Sequence, residues 1–307
     1  MTVETSNRVQ VAAHHWRARF VANGIDVNDF DTTVAKTPEW KDWGPNWRAV
    51  GQVHEALGLD AEQHHRIASA TAAYQRAAWC YHLGKFLWFE DLALYGELRD
   101  RAVGIYRKTL PHLDPPAERL EIPFEGHFIP GHLRRPRDAG RPPLVIIVPG
   151  LDSSKEELFA IEEEFLRRGL ATLTIDGPGQ SENSVQFPIR VNWESVITPL
   201  IDDLERRDPA VDLNQIGLMG ISMGAIYGPR AAAFERRLRA VVAEVRRVER
   251  PTPARMRLRR PPAKVAERRS APRGPPRPRG ALGMAAPGVT PRSPGAAAPY
   301  PAPSGAR

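Results

Sequence analysis

The sequence predicts an α/β fold in which a mostly parallel sheet follows an N-terminal helical region. Three observations carry this reading. From residue 144 onward, short β-branched runs alternate with stretches of helical periodicity, as in βαβ units that build a parallel sheet. Between residues 47 and 108, apolar and aromatic positions recur three and four residues apart, the spacing of helices. Finally, Ile216-Gly-Leu-Met-Gly-Ile-Ser-Met-Gly224 runs from a strand-like stretch through a glycine-flanked turn into a helical stretch.

In chain order, residues 8–30 are expected to form a helix carrying Trp16 and Phe20, and Pro38, Gly44 and Pro45 punctuate an aromatic-rich turn with Trp40, Trp43 and Trp47. The helical region continues through positions such as Leu57, Tyr74, Tyr81, Leu87 and Val103, so that residues 1–110 read as a helical domain closed by the proline-rich linker 110–116. Trp79, His82, Lys85, Phe86 and Phe89 form a denser aromatic and basic face, which either packs helices together or roofs a substrate pocket. His64 and His65 are adjacent and point about 100° apart on a helix, a poor arrangement for one metal. His14, His15, His54 and His112 are expected to be surface or structural residues.

Two short strands, 120–124 and 127–133, joined at Gly126, should make an edge hairpin where prolines are tolerated, with His127 and His132 on its surface. Residues 144–148 form a strand covered on both faces. A helix over 155–168 ending at Gly169, a strand over 171–175, a helix over 193–207 and a strand over 216–221 follow. A helical stretch over 225–239 and a strand over 238–243 come last in the expected core, residues 111–250, which reads as partial, incomplete at its C-terminus.

The 307 residues suffice for one α/β domain plus a smaller appended unit. The net charge of +7 is unevenly placed: residues 251–307 hold twelve Lys or Arg against Glu267 alone, a net +11, and the first 250 residues carry −4. The single Cys80 excludes an internal disulfide and a cysteine metal cluster. No N-terminal apolar segment and no run of 18 apolar residues is present, so neither a signal peptide nor a membrane span is expected and the default location is cytoplasmic. No G-x-G-x-x-G fingerprint follows a strand and no G-x-x-x-x-G-K-[ST] loop exists, which argues against nucleotide binding.

Gly220-Ile-Ser222-Met-Gly224 is the nucleophile-elbow pattern in its strand-turn-helix context. Gly220 and Gly224 lack the Cβ atoms that would obstruct a sharp turn presenting Ser222. Acyl chemistry also needs two preoriented N–H groups for the oxyanion. Met223 would supply one, and the Pro149-Gly150 turn the other, from Leu151 or alternatively Asp152; Gly150 otherwise reads as part of a tight structural turn.

Together, Pro149-Gly-Leu-Asp-Ser-Ser-Lys-Glu-Glu157, Asp176-Gly-Pro-Gly-Gln-Ser-Glu182 and Gly220-Ile-Ser-Met-Gly224 resemble one group of α/β-hydrolases. It is the group related to 2,6-dihydroxypseudooxynicotine hydrolase and the fermentation-respiration switch esterase, and it includes fungal polyketide-pathway hydrolases. The resemblance covers about residues 10–243 and implies an α/β-hydrolase core behind a helical lid at residues 1–110. It implies Ser222 as nucleophile, Leu151 and Met223 as oxyanion donors, and Asp176 as a loop residue outside the triad. It also implies hydrolysis of an ester or of the C–C bond of a β-diketone-like compound, with no metal and no organic cofactor.

Residues 251–307 contain fourteen prolines and are expected to be disordered, with a truncated or frameshifted reading frame from about 243–250 as the expected origin. Their charge predicts at most nonspecific, salt-sensitive contact with nucleic acid. Within the elbow's usual chain order the acid and histidine follow the serine, yet the last histidine is His132 and the last aspartate Asp212. Only Glu235, Glu244, Glu249 and Glu267 follow Ser222 as carboxylates. Two function classes therefore stay open: a serine hydrolase for a carbonyl substrate of aromatic or apolar character, and a noncatalytic remnant or small-molecule-binding protein. No specific nucleic-acid or membrane partner is expected, and a homodimer is left open.

Overall fold

The computed structural model describes residues 8–86 and 90–245, all within one compact unit, Met1–Glu249. Leu87, Phe89, Glu249, Glu267 and the expected disorder of 251–307 lie outside the described residues. Among the described residues, five helices come first: α1 (Arg8–Ala22), α2 (Val27–Ala35), α3 (Trp43–Gln63), α4 (Ile67–Lys85) and α5 (Leu92–Thr109). Their buried faces form one apolar cluster around Trp43, Trp47, Tyr81, Leu83 and Leu98.

Two expectations are corrected here. The helix expected over 8–30 is broken at Gly24, whose φ of +111° suits glycine and where a Cβ would lie 2.1 Å from the Trp79 ring of α4. The Asp26 carboxylate then caps α2 by accepting the N–H of Asn28 at 2.8 Å. The expected turn over Trp40–Trp47 is a 3₁₀ turn, Trp40–Asp42, feeding directly into α3. Pro45 sits in the first turn of α3, where its missing N–H is harmless.

The sheet holds β1 (Ala117–Phe124), β2 (His127–Arg134), β3 (Pro143–Val148), β4 (Ala171–Ile175), β5 (Asp212–Ile221) and β6 (Leu238–Glu244). Its spatial order is β1-β2-β4-β3-β5-β6. The β1–β2 hairpin turns at Glu125 and Gly126, both at positive φ, and β2 pairs antiparallel with β4. The remaining neighbours, β4 with β3, β3 with β5 and β5 with β6, are parallel. All five residues of β4 and most of β3 are buried, as continuous apolar runs demand when both faces are covered.

Three helices flank the sheet: α6 (Phe159–Leu166), α7 (Glu194–Arg207) and α8 (Gly224–Phe234). The buried stripe of α7, Val196, Ile197, Leu200, Ile201 and Leu204, packs into the sheet's core cluster. Each such side chain contributes roughly 1.5–3 kcal/mol by leaving water. Trp193 stacks on Tyr227 of α8 at 4.4 Å between ring centroids. The helix expected from residue 155 opens instead as a 3₁₀ turn, Lys155–Leu158, because its charged residues are tied into the protein interior. The helix expected to reach 239 stops at Phe234: Glu235 turns extended and accepts the N–H of Arg237, which lets β6 run parallel to β5. Among the described residues no helix is long and apolar enough to cross a membrane.

Candidate active site

β5 ends at Ile221, and Ser222 follows in a left-handed conformation, φ +55°. For a non-glycine residue this costs about 1–3 kcal/mol, so the surroundings must enforce it. The two glycines make it feasible. A Cβ on Gly220 would stand 2.0 Å from the carbonyl oxygen of Gly224, and one on Gly224 2.3 Å from that of Val148. Strand β5, helix α8 and the end of β3 thus meet backbone to backbone. The Ser222 N–H donates to the Glu244 carbonyl at 2.8 Å, pinning the turn to β6. Ser222 itself is exposed, and Met223 is half-buried at the N-cap of α8.

The turn after β3 lies against this serine: a Cβ on Gly150 would be 3.1 Å from Ser222 Cβ and 3.5 Å from its Oγ. Leu151 is exposed, and Asp152 is half-buried with its carboxyl raised by burial, which Lys85 and Arg19 oppose. Gln180, 1% exposed, clamps the start of the turn. Its Nε2 donates to the carbonyls of Pro149 at 2.7 Å and Gly150 at 3.1 Å, while its Oε1 accepts the Gly177 N–H.

Behind the turn, Lys155 is buried with its ammonium 2.7 Å from Glu156, 2.9 Å from Asp176 and 2.6 Å from Glu182. These three carboxylates stand close enough to share a cation, and the Lys155 ammonium takes that position. Asp176 also accepts the backbone N–H of Lys155 at 2.8 Å, so it anchors a loop. Burial pushes the Asp176 carboxyl up to about 6 against the opposing charge of Lys155. For Glu156, burial is outweighed by Lys155, which holds the carboxyl down at about 2. Burial would lower Lys155, but Asp176 and Glu156 outweigh it and raise the ammonium well above its ordinary value.

The histidines are placed by packing. His132 is not a surface residue: it is 2% exposed and stacked on Tyr106 of α5 at 5.6 Å, because β2 is an interior strand covered by the helical layer. Burial, then the charge of Lys155, pushes its imidazole down to about 3. His127 is exposed beside Phe187. His54 pairs with Asp29 at 2.6 Å and His82 with Glu157 at 3.1 Å. The aromatic and basic face of α4 packs inward: Trp79, His82, Lys85 and Phe86 are all buried, and Trp79 donates its indole N–H to the Glu156 carbonyl. A cleft of about 380 Å³ opens between α2 and α3, lined by Asn28, Asp29, Asn46 and His54; it includes none of the predicted site residues.

The structure therefore brings Ser222, Met223, Gly150, Gly220 and Gly224 into one locus, with Leu151 one residue along the adjoining turn. Sequence reasoning missed the supports, Lys155, Glu157 and Gln180. Lys155-Glu-Glu157 has the composition of a solvated helix start, and nothing in its spacing signals burial.

A serine at positive φ, between a parallel strand and a helix on a sheet ordered in this way, defines an α/β-hydrolase. The chain belongs to the FrsA-like esterase family, whose model matches residues 21–250. It is similar to 2,6-dihydropseudooxynicotine hydrolase of Paenarthrobacter nicotinovorans, 33% identical over 249 residues, covering 79% of this chain and 65% of that protein. Hydrolyase poxO of Penicillium oxalicum is 34% identical over 209 residues, covering 63% of this chain and 49% of its own length. The crystal structure of 2,6-dihydroxy-pseudo-oxynicotine hydrolase matches with a TM-score of 0.66 at 33% identity, over 73% of this chain and 62% of that one. This chain thus spans about half to two thirds of the length of these relatives, which are hydrolases of the α/β type.

Proposed function

We propose that this protein is a serine-nucleophile hydrolase acting on a carbonyl substrate, either a carboxylic ester or the C–C bond of a β-diketone-like compound. The observation that carries the proposal is the strained, exposed Ser222 held at φ +55° with Gly150 against it. In this reading Ser222 Oγ attacks the carbonyl carbon, and its proton passes through a base to the departing alkoxide or carbanion. The N–H groups of Leu151 and Met223 hold the oxyanion, and water then releases the acyl group from Ser222. Helices α1–α5 act as the lid over this locus. The hydrolase relatives support the reaction class, and the similarity to a hydrolase of a pseudooxynicotine derivative supports an aromatic or apolar substrate.

A second reading, a protein that binds a carbonyl ligand without turnover, is favoured by the histidines. His132 is sealed in a stack with Tyr106, and His82 is committed to Glu157. A fluorophosphonate probe separates the two. An activated serine gives a covalent adduct on the Ser222 peptide of wild type and none in Ser222→Ala. Folded wild type that resists the probe refutes the hydrolase reading and supports the second.

A further inference from the structure

We propose that Glu157 is a positioning residue that couples the helical layer to the turn beside Ser222. Its carboxylate holds Ser153, and through it the later part of the 149–154 turn, in place while α1 and α4 are docked. The inference rests on Ser222 and Leu151 having the roles given above.

Glu157 is 2% exposed and receives five donors. Arg19 of α1 donates Nε to Oε1 at 2.6 Å and its terminal N–H to Oε2 at 2.8 Å. Asn23, just beyond α1, reaches Oε1 at 2.9 Å. His82 of α4 lies 3.1 Å from Oε2, and Ser153 Oγ donates to the same oxygen at 2.5 Å. A carboxylate offers about four lone-pair positions, so this one is saturated and is not available as a base toward substrate. Four of the five donors come from the helical layer and the fifth from the turn. The carboxylate therefore transmits the position of α1 and α4 to Ser153, two residues from Leu151.

The charges fit this role. Burial and the nearby Lys85 lower the His82 imidazole, against the opposing pull of Glu157. Arg19 meets Glu157 in the bidentate geometry that makes such bonds short and directional. Gln180 fixes the turn at Pro149 and Gly150 from the sheet side, and Glu157 fixes it at Ser153 from the helical side. The segment carrying Leu151 and Asp152 spans the two clamps. An oxyanion donor displaced by a fraction of an ångström loses much of its effect, so the second clamp sets catalytic geometry as well as stability.

The test uses the full chain as Glu157→Gln and as Ser153→Ala, the latter leaving the Arg19 pair intact. Hydrogen–deuterium exchange is followed by mass spectrometry. Exchange of amides 150–154 is expected to rise about tenfold in both variants while β3 and β4 keep wild-type protection. With the fluorophosphonate probe, kinact is expected to fall about 100-fold in Glu157→Gln with KI unchanged, the loss typical of a misplaced oxyanion donor. Wild-type exchange of 150–154 in Ser153→Ala overturns the proposal, and so does a rise spread equally over β3 and β4, which would mark a general loss of stability. If wild type itself takes no label, the serine-hydrolase reading fails, while the exchange result still decides whether Glu157 holds the turn.

Discussion

Replacing Lys155 by methionine removes the cation that touches all three of Glu156, Asp176 and Glu182, the first two of them buried. Methionine keeps the length and volume of the side chain, so the loss is electrostatic. In the native protein the ammonium touches Glu156, Asp176 and Glu182 at 2.6–2.9 Å and is itself fully buried, while Arg119 reaches only Glu182, at 2.6 Å. Breaking a buried pair by deleting one partner costs about 3–5 kcal/mol, which lowers Tm by roughly 6–20 °C for a unit of this size. The pH dependence follows from the signs. Glu156, held at about 2, contributes stability that is present above its ordinary value and lost as pH falls. Asp176, raised to about 6, contributes stability that is full at low pH and lost as pH rises through that value. Without Lys155 both carboxyls belong to the second kind. The deficit of Lys155→Met is therefore expected to be largest near pH 8 and to shrink toward pH 5, as the carboxyls take up protons. Urea unfolding of both proteins at several pH values, followed by circular dichroism, measures it. A deficit below about 1 kcal/mol at pH 8, or one that grows as pH falls, would refute the electrostatic account.

Two further outcomes are expected. Burial pushes the Glu162 carboxyl up to about 7 against the opposing charge of Arg134, so its protonated form stabilises the fold at low pH and that contribution is lost as pH rises to about 7. Glu162→Gln, which can still accept from Thr172 and Thr174, should flatten the stability profile between pH 5 and 7 and gain about 3 kcal/mol at pH 8; an unchanged slope in urea unfolding would contradict this. At the elbow, Gly220→Ala forces a Cβ to within 2.0 Å of the Gly224 carbonyl oxygen. That overlap should cost at least about 3 kcal/mol and abolish probe labelling, and a thermal melt within 2 °C of wild type, on the scale of roughly 2–4 °C per kcal/mol, would show that the turn is looser than described.

Much of the fold was legible because its signals are local. The β-branched runs and the period-3.6 patterns placed the described strands and most of the described helices, and the glycines around Ser222 marked a turn that only residues without Cβ atoms could flank. The errors came where a distant residue overrode a local preference. Residues 8–30 read as a helix until the Trp79 ring of α4 claimed the space at Gly24. His132 reads as a hairpin surface residue until α5 lays Tyr106 over it.

By itself, then, the sequence determined the α/β architecture, the elbow and its serine, since apolar periodicity and the absence of a Cβ act within a few residues along the chain. Only the tertiary structure decided which charged groups would be buried and with whom. Lys155, Glu156 and Glu157 are consecutive polar residues with no pattern of burial, yet one is ringed by carboxylates and another is gripped by Arg19, 138 residues away in the chain. A charge can leave water only when its partner arrives with it, and that pairing is a property of the packed fold rather than of the segment that carries the charge.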